Sequence, residues 1–340
     1  MDRRIENQII QSLVQGERSL YSLIGSQDAS LRELFPIMES MQDRGIIRIA
    51  EGRARLSTEA REKYGHLKPL AITACRECSQ TGYTFEGFWS QLLQSLAHWE
   101  QKRPIAVEQF DQGFISPSGV VARACFLHER GDLLDSEILL VGDDDLLSLA
   151  LASTGLPRRI QVLEIDERLV EFIAREAQRL SVPLQVEVFD VQNPLPESFR
   201  QAFDVFITDP VETLPGLSLF LSRCVSSLKA AGSGGYFGLT TLEASRQKWY
   251  SLQQKLHNMG LVITDIKRGF SLYPQAESSF SRYQEKCPLY SRIGREADTD
   301  WYTSSLYRVE AAASPTPEVE GAMLLQEEVY RDQESLATPY

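Results

Sequence analysis

The chain has 340 residues, 43% of them apolar, with 47 acidic and 35 basic side chains and a net charge of −12. That length calls for more than one folded unit, and the apolar share excludes disorder throughout. The acidic balance disfavours a nucleic-acid partner, no run of about 18 apolar residues reads as a membrane span, and five cysteines, an odd number, argue against a disulfide framework. MDRRIENQIIQSLVQGERSL lacks the apolar core of a signal peptide, so a cytoplasmic location is expected.

Residues 1–69 read as a winged-helix-like domain. Ile5, Ile9, Ile10, Leu13 and Val14 recur at helical spacing. Ser30 and Glu33 form a capping box for a helix over 30–44, whose Leu34, Phe35, Met38 and Met41 share one face. Gly45 ends it, and IIRIAEGRARLS alternates as two short strands around Glu51-Gly52. The would-be recognition helix carries Arg32, Glu33, Glu39, Asp43 and Arg44, with no basic excess. Packing or dimerisation is therefore expected of this domain, rather than DNA contact.

Residues 70–110 read as a connector. Cys75 and Cys78 form one CxxC, half of what a structural zinc needs, and the four histidines (66, 98, 128 and 257) are scattered. No metal is expected. Residues 111–312 alternate apolar strands with helices: Glu137–Val141, Ile160–Ile165, Leu184–Phe189, Phe203–Thr208, Gly234–Leu239, Leu261–Ile266 and Ser304–Val309, with helices at Leu146–Ala152 and Glu167–Leu180. This predicts a Rossmann-like, doubly wound α/β domain with a mostly parallel sheet, binding its ligand at the carboxyl ends of the strands. Residues 313–340, acidic and proline-bearing, read as a flexible tail with at most a short helix around Met323–Tyr330.

The candidate chemistry lies at those strand ends. The first strand opens into Gly142-Asp143-Asp144-Asp145, where a dinucleotide site would have G-x-G-x-x-G. Three carboxylates repel pyrophosphate and attract a cation. Helix capping accounts for one or two of them, but not for all three. Glu164, ending the second strand, suits the ribose hydroxyls, with Asp166 capping the next helix, and Asp190, beside Val191, suits an adenine amino group. Gly142 and Asp143 complete the nucleoside side. Asp209, Glu243 and Asp145 are candidates for a cationic acceptor, with Trp249 reading equally as acceptor contact or core aromatic. An adenosine pocket with an acidic mouth favours a sulfonium nucleoside without a carboxylate. Decarboxylated S-adenosylmethionine fits that description, and transfer of its aminopropyl group to a polyamine follows.

GDDDLLSLALA, VLEIDERLVEFI, FDVFITDPVETLPGLSLFLSRC and LKAAGSGGYFGLTTLEASRQKW resemble the branched-chain polyamine synthases of thermophilic archaea and bacteria, and the likeness extends over about residues 1–310. The resemblance implies successive transfer of two aminopropyl groups from decarboxylated S-adenosylmethionine, as co-substrate, to the central secondary amine of spermidine. It implies a homodimer, and it gives Asp144, the middle aspartate of the motif, the contact with the reacting amine. General chemistry adds that Asp144 orients that nitrogen and takes its proton, with no metal and no further cofactor. Two other readings share these residues. A methyltransferase of a small cation would bind S-adenosylmethionine more tightly than its decarboxylated form, and a non-enzymatic polyamine or nucleoside sensor would retain DNA without turnover.

Overall fold

The computed structural model describes residues 2–67, 78, 81–275, 286–324 and 330–337. Only Cys78 of the CxxC pair and only the ends of the helix expected near Met323–Tyr330 fall within them. No helix among the described residues is long and apolar enough to cross a membrane.

The N-terminal module runs α1 (Asp2–Val14), β1 (Arg18–Ser19), α2 (Leu20–Gly25), α3 (Leu31–Asp43), β2 (Ile47–Ala50), β3 (Arg53–Leu56) and α4 (Thr58–Tyr64). The expected capping box forms: Ser30 Oγ accepts from Glu33 N at 3.3 Å, and Glu33 Oε2 accepts from Ser30 N at 3.1 Å. Glu51 and Gly52 both take positive φ (51° and 69°), the conformation a tight two-residue hairpin needs. β1 joins the hairpin as a third antiparallel strand, in the order β1-β3-β2. At two residues it is too short to leave a periodicity signal.

The second layer system contains α5 (Phe88–Glu100), α6 (Pro117–Arg130), β4 (Glu137–Val141), α7 (Leu147–Ser153), β5 (Arg159–Glu164), α8 (Glu167–Ala177), β6 (Leu184–Val188), β7 (Val205–Thr208), α9 (Leu214–Ser227), β8 (Gly234–Leu239), α10 (Arg246–Asn258), β9 (Leu261–Leu272), α11 (Pro288–Ile293) and β10 (Thr303–Ala311). The seven strands are ordered β6-β5-β4-β7-β8-β10-β9, parallel from β6 to β8, with β10 antiparallel to both its neighbours. The fold is therefore α/β with a mixed sheet. β9 runs six residues past its expected end because its outer half pairs with β10 instead of stopping at a helix. β7 and β8 are buried along their whole length and β4 all but its first residue, which is why they read as unbroken apolar runs. The strand order reverses between β4 and β7, where a doubly wound sheet opens a crevice at its carboxyl edge. α5, expected in a connector, lies in the same core through Leu92 and Leu96.

Several of the described C-terminal residues pack against the α/β layers, where a flexible tail was expected. Arg223, fully buried in α9, donates to the carbonyls of Val319 and Gly321 at 2.9 and 2.8 Å. Glu334 accepts from Ser245 N at 2.6 Å at the start of α10, and Asp332 lies 2.7 Å from Lys248 Nζ. Composition misled here because these acidic side chains cap a helix and pair with a buried lysine instead of facing water.

Gly235 of β8 stands beside Phe206 of β7, and the buried phenyl ring occupies the space a Cβ would need. Gly235→Ala should cost about 1–3 kcal/mol through overpacking, read as a lower urea midpoint at unchanged m value.

Candidate active site

The turn after β4 splits the acidic triplet three ways. Gly142 takes φ 79°, and Leu146 is also left-handed at φ 62°, so the turn reverses within four residues. Asp143 accepts from Ser148 N at 3.1 Å and caps α7, the structural role foreseen for one member of the triplet. Asp145 accepts from Ile115 N at 2.8 Å. Asp144, half-buried, accepts from Gly113 N at 3.2 Å, and its carbonyl accepts from Arg103 Nη1 at 3.0 Å. The segment before α6 thus folds over the triplet and supplies backbone donors to two of its carboxylates.

Glu164, 4% exposed, holds two strand ends together by accepting from Asp143 N and Asp166 N, each at 2.9 Å. Asp166 caps α8, as expected, and its second oxygen accepts from Gln112 Nε2 at 3.0 Å. Asp190 closes its own turn by accepting from Gln192 N and Nε2 at 2.9 Å. The carbonyl of its neighbour Val191 is held by Arg223 Nε at 2.9 Å. Asp209, ending β7, is gripped by both terminal nitrogens of Arg123, and Arg123 Nη1 also lies 3.6 Å from Asp145. Gly142, Asp143, Asp144, Asp145, Glu164 and Asp209 are therefore brought together around the β4–β7 switch.

Burial, and after it crowding, raises the pKa values of four of these carboxyl groups. Burial, then the charges of Asp145, Glu164 and Asp209, push Asp144 well above the usual range against the pull of Arg103. Burial lifts Asp145 to about 6, opposed chiefly by Arg123, and lifts Asp143 to about 8, opposed by its bonds from Ser148. Glu164 is raised by burial despite its backbone donors.

A second acidic group continues the wall. Glu212 Oε1 accepts from Thr240 N at 2.7 Å, while its Oε2 is buried without a hydrogen-bond partner among the described residues. Glu243, 3% exposed, accepts from Ala337 N at 2.7 Å and is pushed by burial to about 7. Tyr273 and Tyr302 meet edge to face at 5.2 Å between the two groups. Tyr273 feels the charges of Asp209 and Asp145, and Tyr302 those of Glu212 and Glu243. Trp249, half-buried on α10, instead lies edge-on to Tyr307, 6.3 Å between centroids, and packs against the core. Its neighbours support the core reading over acceptor contact.

Sequence reasoning missed Arg123, Arg103, Tyr273, Tyr302 and Glu212. Arg123 left one signal, a lone arginine within the apolar run VVARACFL. The tyrosines left none, because their role depends on the pairing of β9 with β10.

Residues 91–337 match the branched-chain polyamine synthase A C-terminal domain. The N(4)-bis(aminopropyl)spermidine synthase of Thermus thermophilus is 36% identical over 316 residues, 92% of this chain and 90% of that protein. The Thermococcus kodakarensis enzyme of the same name is 33% identical over 344 residues, 99% and 95% of the two chains. The crystal structure of the Thermus thermophilus branched-chain polyamine synthase, in complex with N4-aminopropylspermidine and 5′-methylthioadenosine, superposes with a TM-score of 0.84 at 33% identity, covering 97% of this chain and 93% of that one.

Two outcomes follow from the geometry. A Cβ on Gly238 would collide with Asp209 Oδ1, so Gly238→Ala should displace that carboxylate and lower turnover by about tenfold or more at unchanged secondary structure, checked by steady-state kinetics and circular dichroism. Asp143, Asp145 and Glu243 have folded-state values of about 8, 6 and 7, above their ordinary 3.8, 3.8 and 4.5. The stability they contribute is complete below about pH 4 and lost as pH rises through 6 to 8. Asp28 and Asp166, shifted down, contribute fully throughout that window. Urea unfolding of the ligand-free protein should therefore show lower stability at about pH 8 than at about pH 5.5, with a shallower drop in Asp143→Asn.

Proposed function

The chain belongs to the branched-chain polyamine synthase family, and on that premise we propose that it transfers aminopropyl groups from decarboxylated S-adenosylmethionine to the central secondary amine of spermidine. The products are N4-aminopropylspermidine, then N4-bis(aminopropyl)spermidine, with methylthioadenosine leaving at each step. One observation carries the reading: Asp144, Asp145, Asp209 and Glu164 converge at the switch point of the sheet, a crevice that suits a cationic nucleoside and a cationic acceptor together.

On this reading Glu164 accepts the ribose hydroxyls with the oxygen lone pairs its backbone donors leave over, and Asp190 the adenine amino group, beside Gly142, Asp143 and Val191. Asp145, Asp209 and Glu243 hold the ammonium groups of the acceptor arms, joined by Glu212. The central amine enters protonated and must be neutral to attack. Asp144 takes that proton, and its raised pKa brings it closer to that of an amine, as a general base requires. The neutral nitrogen then attacks the carbon next to the sulfonium, the carbon–sulfur bond breaks, and the electron pair stays on sulfur. A second deprotonation prepares the tertiary amine for the second transfer. The sulfonium is its own leaving group, so the chemistry calls for no metal or added cofactor.

The N-terminal module has the helix–strand–helix–helix–strand–strand order of a winged helix, and we read it as a packing element. Its third helix spends its charges inside the molecule: Glu33 accepts from Arg246 N at 3.0 Å, Arg32 lies 3.5 Å from Glu334, and Glu39 pairs with Arg292. The backbone N–H of Leu31 donates to the Leu242 carbonyl at 2.7 Å. That arrangement supports anchoring of the loop before α10 over nucleic-acid contact.

Mass spectrometry after mixing the protein with decarboxylated S-adenosylmethionine and spermidine should show products heavier by one and then two aminopropyl units, both placed on the central nitrogen by fragmentation. A linear product would reject the branching, and no product with firm S-adenosylmethionine binding would turn the assignment to a methyltransferase. Asp144→Asn should lower kcat by about a hundredfold or more while donor affinity stays within about threefold, measured by initial rates and calorimetry.

A further inference from the structure

A guanidinium is out of place in a crevice meant to attract cations. α6 nevertheless puts Arg123, 1% exposed, against two of the carboxylates. Its Nη1 and Nη2 grip the two oxygens of Asp209, the second at 3.3 Å. Nη1 stands 3.6 Å from Asp145 Oδ2, Nε donates to Ser271 Oγ at 3.0 Å, and Tyr273 faces the same charge. Asp144 has different company. The charges of Asp145, Glu164 and Asp209 bear on it most strongly, and Arg103, the cation that opposes them, donates from Nη1 to the Asp144 carbonyl.

Arginine stays protonated when buried, and its fork matches carboxylate geometry. Without it, carboxylates this close would share protons, and which one accepts the proton of the amine would be undetermined. Resting on the transferase reading above, we infer that Arg123 is a positioning residue: it clamps Asp145 and Asp209 as charged holders of the acceptor and leaves Asp144 as the carboxylate that accepts the proton. The guanidinium weakens attraction for the acceptor as a whole and in return separates the roles of carboxylates that chemistry alone makes equivalent. The directions agree. Asp145 rises by burial only to about 6, with Arg123 its strongest opposing charge, whereas Asp144 rises well above its ordinary value.

The test is the pH profile of kcat/KM for spermidine in Arg123→Gln and Arg123→Lys, at saturating donor. In Arg123→Gln the acidic limb should move up by about one pH unit, because Asp145 loses the guanidinium that opposes its rise and becomes harder to ionise. KM for spermidine should rise about tenfold near pH 7 and recover toward about pH 9, while KM for the donor stays within about threefold. Arg123→Lys, which keeps the charge, should keep the limb near its original place. A uniform loss of kcat at every pH in both variants, with the limb unmoved, would mean that Arg123 only holds the fold, and would overturn the inference. Should Arg123→Gln not fold, the wild-type protein decides. Carboxyl carbon resonances, assigned through Asp144→Asn and Asp145→Asn, must show Asp145 losing its proton at lower pH than Asp144, and the reverse order defeats the proposal. That ordering needs no turnover, so it stands apart from the product assay, whose failure would defeat the transferase reading instead.

Discussion

Carboxylates that are crowded at the edge of a low-dielectric sheet repel one another, and two such charges at 4 Å cost about 4 kcal/mol at the effective dielectric of a protein surface. The molecule meets that cost locally. Glu164 takes two backbone donors, Asp143 takes the start of α7, and Asp145 and Asp209 share Arg123. Asp144 receives one backbone N–H to its carboxylate. Compensation is therefore uneven, and the least compensated group is the one that a bound cation relieves most. On the proposed reading, the acceptor and the sulfonium donor would act as the missing counterions of this site.

The same constraint explains why distant segments converge near the acceptor side. The N-terminus of α10 follows the loop that carries Glu243, and its orphan donors need partners. Glu33 supplies one from the N-terminal module and Glu334 another from the C-terminal residues. Glu243 in turn accepts from Ala337 N. The position of this loop thus depends on both ends of the chain, and the N-terminal module contributes to the site without entering it.

The nucleoside side rests on a different device. A phosphate-binding site needs exposed backbone donors at a helix start, but here the start of α7 is already occupied by Asp143. The loop is closed to pyrophosphate by charge and by hydrogen bonding alike. What remains at the neighbouring strand ends, Glu164 and Asp190, suits hydroxyl and amino groups. This agrees with the methylthioadenosine found in the related Thermus thermophilus structure.

Some of this was determined by the sequence itself. β4 and β8 appear with the expected bounds, because strands buried on nearly all sides must be apolar runs and little else produces such runs. The triplet at 143–145 was legible because three acids beside a strand-ending glycine contradict the common use of that turn. Its division was not, since Asp143 accepts from the start of α7, Asp145 from Ile115 and lies near Arg123, and Asp144 from Gly113, according to what α6, α7 and the 113–115 backbone present to each. Trp249 stayed open between two readings, and the described C-terminal residues read as a tail, for one reason: an aromatic reads the same in a core or a pocket, and an acid the same in solvent or at a helix start. Tyr273 and Tyr302 belong wholly to the tertiary structure, and Arg123 left only a lone charge in an apolar run. They come from elements far apart in the chain, and only the antiparallel entry of β10 between β8 and β9, with α6 packed across β9, brings them to the carboxylates. Periodicity and local motifs specify which residues are buried and which elements form. Which charges then face one another is decided when the elements close on a common crevice.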